Sequence, residues 1–134
     1  ERLTREFEGK HPVQGYGLTE TNGVGAGNIR ESYRAKPAST GRAAPPLMEL
    51  RIADGDGPVG AALPAGTVGE VCLRSVCNCR GYWNKPEATA AAFVGDGWFR
   101  SGDLGYIDED GYLFIVDRKK DIIIRGGENI SCQE

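Results

Sequence analysis

Apolar positions along this chain come in short bursts with a period of two. In "LMELRIAD", residues 47–54, Met48, Leu50 and Ile52 alternate with Leu47, Glu49 and Arg51, the pattern of a half-buried strand. "GEVCLRS", 69–75, alternates again, with Val71 and Leu73 on one face and Cys72 and Arg74 on the other. "DGWF", 96–99, opens another strand. "GYIDEDGYLFIVD", 105–117, reads as a hairpin turning at 108–111. Near the end, Ile115-Val116 and the isoleucines at 122–124 are separated by five charges, "DRKKD".

One helix is well signalled: Asn84 as cap, Pro86 in the first turn, Glu87 three residues after the cap, then "EATAAAF". Leu3 and Phe7, four apart, suggest the end of a helix within 1–14. Residues 15–28, "GYGLTETNGVGAGN", show no apolar period and read as a loop, and 30–46 as an extended connector. Short strands, one short helix and many turns at 8–12-residue spacing predict a mainly β fold, a small distorted β-barrel with Gly-rich loops.

Composition sharpens this picture. Of 134 residues, 20 are glycine, about twice the usual share of ~7%, so the chain turns often or wraps closely around something. A net charge of −3 argues against a nucleic-acid binder. No apolar run reaches the roughly 20 residues that span a bilayer. The four cysteines, Cys72, Cys77, Cys79 and Cys132, lack zinc-ligand spacing and stand far from the single His11; they read as reduced thiols of a cytoplasmic protein.

Several short stretches carry candidate chemistry. "YGLTET", 16–21, combines an aromatic face suited to a planar base, two hydroxyls, and a carboxylate suited to Mg²⁺; it is equally the composition of an ordinary solvated loop. Asp103 in "SGDLG" can accept hydrogen bonds from both hydroxyls of a ribose, or make a local turn. Arg118 can bind an anion or a sugar hydroxyl, or simply lie in a charged surface crossing. The pair Gly126-Gly127 in "RGGENI" can admit a ligand against bare backbone. "GVGAG", 23–27, has no preceding strand or following helix in this reading and is no dinucleotide fingerprint.

The order of these stretches says more than any one of them. "GYGLTET", "STGRAAPP", "GEVCLRS", "GYWNKPEATAAAF" and "GWFRSGDLGYIDEDGYLFIVDRKKDIIIRGGENI" follow one another in a series that resembles the adenylate-forming superfamily of acyl-CoA synthetases, luciferases and peptide-synthetase adenylation domains. The resemblance runs from about residue 12 to the end. It implies a role for each matching position. Tyr16, with Gly17 beside it, stacks on adenine, Thr19 contacts phosphate, and Glu20 holds Mg²⁺. Asp103 binds the ribose hydroxyls and Arg118 approaches from the same side. Lys120 is the hinge between a large and a small domain, and Gly126 and Gly127 form the loop that meets the thiol acceptor. Ser101 stands where the family more often has threonine.

The implied reaction joins a small carboxylic acid to coenzyme A with ATP and Mg²⁺, through an acyl-adenylate and release of AMP, with fatty-acid metabolism as the setting. "RGGENI" favours the CoA branch over a carrier-protein thiol. The resemblance also implies a lysine-bearing phosphate loop upstream and a lysine near the end of the small domain, neither present in the chain. The expectation is therefore an inactive internal piece of a larger α/β enzyme: 1–35 from the large domain with the nucleotide loop, 36–118 a β-barrel subdomain, and 119–134 the hinge and first strand of the small domain. Weak nucleotide binding and self-association through uncovered apolar surface follow. A non-catalytic β-barrel binding module is the competing reading.

Overall fold

The computed structural model describes residues 12–55 and 59–119, together with the backbone of two further strands, 122–125 and 128–131. The helix expected within 1–14 lies largely outside these residues, as do Lys120, Gly126 and Gly127.

The architecture is mainly β. Strands β1 (Val13–Gly17), β2 (Gly25–Ile29) and β3 (Arg42–Ala43) form one antiparallel sheet in that order. A second, five-stranded sheet holds β4 (Met48–Ala53), β5 (Gly69–Ser75), β6 (Phe93–Val94), β7 (Trp98–Ile107) and β8 (Leu113–Arg118). β7 is its centre, pairing with β5, β6 and β8. β9 (Ile122–Arg125) and β10 (Glu128–Ser131) pair with each other. Among the described residues there are two short α-helices, α1 (Arg30–Ala35) and α2 (Pro86–Ala92).

The strand patterns read from the sequence hold. Met48, Ile52, Val71, Leu73, Phe99 and Leu113 form the core on one face of the sheet, while Cys72, Ala53 and Trp98 are buried on the other. Each large side chain so buried stabilises the fold by about 1.5–3 kcal/mol relative to exposure. β5 is covered on both faces, and the sheet is curled into a half-barrel. The guanidinium groups of Arg51 and Arg74 lie over the Trp98 ring, their carbons 4.5 and 5.0 Å from its centroid, and cover the second face.

The stretch 15–28 is not a loop. β1 and β2 pair in register from Val13↔Ile29 to Gly17↔Gly25, around a single 3-10 turn, Thr19–Thr21. Glycine concealed the strands by removing the apolar period. It also lets the turn between them close: a Cβ on Gly17 would sit 2.3 Å from the Gly23 carbonyl oxygen. The connector at 30–46 likewise opens with α1 before extending.

The segment "STGR" joins the two sheets. Ser39 Oγ and Thr40 Oγ1 donate to the Leu113 carbonyl at 2.7 and 3.1 Å, and the Leu113 amide donates to the Gly41 carbonyl at 2.8 Å. The 108–111 turn forms as expected. Asp108 Oδ1 accepts the amides of Asp110 and Tyr112, and Lys36 pairs with both Asp108 and Asp110. For α2, the cap is Lys85 rather than Asn84, which adopts φ 53°; Pro86 begins the helix as expected.

Candidate nucleotide-binding site

Asp103 is inside β7, in a strand rather than a local turn. Three hydrogen bonds hold the "SGD" segment there. A register shift between Glu70 and Cys72 leaves the Val71 carbonyl outside the β5–β7 ladder, and Ser101 Oγ donates to it at 2.7 Å. The Asp103 amide in turn donates to Ser101 Oγ at 3.0 Å. The Gly102 amide donates to Glu70 Oε1 at 3.1 Å, with Gly102 at φ 74°, a conformation suited to glycine. The serine hydroxyl thus has a structural task, setting the backbone that presents Asp103.

The carboxylate of Asp103 gathers two other residues expected at the site. The Tyr16 hydroxyl donates to Oδ2 at 2.7 Å, across 87 positions of sequence. Arg118 Nε donates to Oδ1 at 3.0 Å from the opposing position on β8. Asp103 is buried, and Arg118 is 63% exposed in its side chain. Burial, reinforced by the Asp103 carboxylate, pushes the Tyr16 phenol well above its ordinary range. Tyr16 therefore remains a neutral donor.

The charged run after Val116 is only partly solvated. β8 continues through Asp117 and Arg118, and its alternation turns Asp117 inward to 8% exposure while Arg118 points out. The Lys119 amide then donates to the Gly102 carbonyl at 2.8 Å, so the chain leaves β8 pinned beside Asp103.

Arg118 and Lys119 border an open cleft of about 870 Å³, whose other walls include Glu20, Tyr82, Glu70 and Arg100. Glu20 enters it from the 3-10 turn. Tyr82 donates to Glu20 Oε1 at 2.7 Å, and the Cys79 amide donates to the Glu20 carbonyl at 2.7 Å. Glu20 Oε2 has no protein partner among the described residues. Thr19 is exposed on the same turn and also lacks a side-chain partner there. No cluster of three or more metal-ligating side chains occurs among the described residues. A single carboxylate with a free oxygen nonetheless suits Mg²⁺, which takes one or two carboxylates and completes its shell from substrate phosphates and water.

Sequence reasoning missed Glu70, Arg100 and Tyr82. Glu70 and Arg100 are buried together at 2.8 Å, and Lys119 Nζ adds a second cation 3.4 Å from Glu70. By alternation Glu70 shares the face of Cys72 and Arg74, and Arg100 that of Trp98, away from the Val71–Leu73 core, so the strand period gave no signal of their pairing. Tyr82 had none, since its partner is 62 positions away.

The model of the AMP-binding enzyme family matches residues 1–83. The chain belongs to this family. It is 45% identical over 118 residues to the long-chain-fatty-acid–CoA ligase FadD13 of Mycobacterium tuberculosis, covering 88% of the chain and 22% of that protein. A 4-coumarate–CoA ligase-like protein of Oryza sativa is 40% identical over 136 residues, covering 98% of the chain and 24% of the relative. Among solved structures, unliganded O-succinylbenzoate coenzyme A synthetase from Bacillus subtilis superposes with a TM-score of 0.82 and 33% identity, over 97% of this chain and 27% of that one. The chain thus spans about a quarter of the length of these relatives. None of its helices is long and apolar enough to cross a membrane, among the described residues.

Proposed function

We propose that the chain is the nucleotide-facing segment of an ATP-dependent ligase that joins a small carboxylic acid to coenzyme A. The observation that carries this reading is the convergence of Tyr16 and Arg118 on the Asp103 carboxylate, with Glu20 in the adjoining cleft. These four come from four elements, β1, the 3-10 turn, β7 and β8, spread over 103 positions of sequence, and in this reading they supply the acceptor for ribose hydroxyls, the cation and the metal-binding oxygen. The CoA-ligase names of the relatives support the acceptor. The Bacillus subtilis synthetase, solved also with its acyl-adenylate intermediate, superposes over 99% of this chain with a TM-score of 0.83.

In this reading the acid's carboxylate attacks the α-phosphate of ATP, releasing pyrophosphate, and the thiol of coenzyme A then displaces AMP. Tyr16 provides an aromatic face to adenine, and Asp103, aligned by Ser101, accepts from the ribose hydroxyls. Arg118 lends positive charge on the ribose side, and Thr19 donates to phosphate. Glu20 would hold Mg²⁺, which when bound would offset charge on the phosphates. Residues 1–35 belong to the large domain, 36–118 to a β-barrel subdomain, and 119–134 to the hinge at Lys120 and the opening of the small domain. Gly126 and Gly127, outside the described residues, are assigned by the resemblance alone to the loop that meets the thiol acceptor.

The full-length enzyme carrying this segment is expected to catalyse acid-dependent exchange of pyrophosphate into ATP. Glu20→Ala should abolish or greatly reduce that exchange. Undiminished exchange in the variant would remove Glu20 from the site.

A further inference from the structure

We propose that Tyr82 is the positioning residue of the Glu20 carboxylate, holding one oxygen so that the other is presented to a nucleotide-bound divalent cation. The inference rests on the ligase reading above and assigns a residue that the sequence did not mark.

The Tyr82 hydroxyl donates to Glu20 Oε1 at 2.7 Å and leaves Oε2 without a protein partner among the described residues. A glutamate side chain on an isolated 3-10 turn samples several rotamers, and a charge-assisted hydrogen bond selects one. Tyr82 is itself held from two directions. Its amide donates to Thr89 Oγ1 of α2 at 2.9 Å. Its ring meets Phe93 edge-on at 6.0 Å between centroids, and Phe93 packs on the core residue Phe99 at 5.0 Å. The order of support therefore runs from core to Phe93, to Tyr82, to Glu20.

The turn is docked separately at its backbone. The Cys79 amide donates to the Glu20 carbonyl at 2.7 Å, and Asn22 Nδ2 donates to the Cys77 carbonyl at 2.7 Å. Loss of the Tyr82 hydroxyl thus frees the carboxylate while these contacts keep the turn in place.

The test uses Tyr82→Phe, which retains the ring, in the full-length enzyme. Mn²⁺ replaces Mg²⁺ as the probe, and its affinity for the enzyme–ATP complex is read by water-proton relaxation without any acid substrate. Tyr82→Phe is expected to weaken Mn²⁺ about tenfold, the scale of one hydrogen bond to a charged group. Asn22→Ala, which loosens the turn but not the carboxylate, should shift it less than twofold. If Glu20→Ala weakens Mn²⁺ and Tyr82→Phe does not, the positioning role is overturned and the ligase reading stands. If Asn22→Ala weakens Mn²⁺ as much as Tyr82→Phe, the effect is general docking of the turn, and the proposal fails. If Glu20→Ala has no effect, Glu20 is not the metal-binding residue, and both readings of it fall.

Discussion

Arg118 and Asp103 face each other across β8 and β7, one 63% exposed and the other buried, joined at 3.0 Å. An ion pair with one end in water contributes ~1 kcal/mol or less to folding. On the proposed function, its placement beside the cleft matters more for nucleotide binding than for stability. In the full-length enzyme, Arg118→Ala should leave the melting temperature nearly unchanged while raising the half-saturating ATP concentration about tenfold or more. A variant that unfolds early but binds ATP normally would reverse this assignment.

Glu70 and Arg100 present the opposite case. Both are buried, and Glu70 also receives the Gly102 amide and lies near Lys119. Removing one partner strands a charge in the interior, at a cost of about 3–5 kcal/mol. Arg100→Met and Glu70→Gln should each lower the urea midpoint strongly. The double variant Glu70→Leu/Arg100→Met should be less destabilised than the sum of its single substitutions. Additive losses in that cycle would mean the two side chains act independently.

Gly17→Ala places a methyl carbon 2.3 Å from the Gly23 carbonyl oxygen, a contact only backbone movement can relieve. Overpacking of this kind costs about 1–3 kcal/mol or more. At Gly27 an added Cβ meets nothing within 4 Å, so Gly27→Ala is the control. Denaturation curves should separate the two, and equal stabilities would show that β1 and β2 can part without loss.

Cys72 is fully buried, and burial, with the Glu70 carboxylate adding to it, pushes its thiol up from 9.0 to about 11. The folded chain keeps this proton where the unfolded chain has released it. The resulting stability is complete below pH 9 and lost as pH rises towards 11. Urea midpoints of Cys72→Ala should fall less steeply over that interval than those of the parent chain. Iodoacetamide at pH 8 should label Cys77 and Cys79, which are partly exposed, and spare Cys72 until urea is added.

The sequence by itself determined the strands whose apolar residues alternate. Val71 and Leu73 against Cys72, and Met48 and Ile52 against Glu49, are buried as their period requires, since side chains on a strand take opposite faces. The ordered motifs likewise marked Tyr16, Glu20, Asp103 and Arg118 as candidates. What only the tertiary structure decided was everything carried by pairing across the chain. The glycine-rich β1 and β2 have no period to read, because their faces are set by close backbone approach. Asp103 became a strand residue through the ladder with β5 and β8. Tyr82 came to Glu20, and Glu70 to Arg100, through contacts 62 and 30 positions apart. Such contacts form because curling the sheet brings distant strands together, and no local pattern of residues encodes which distant partner a polar group will find.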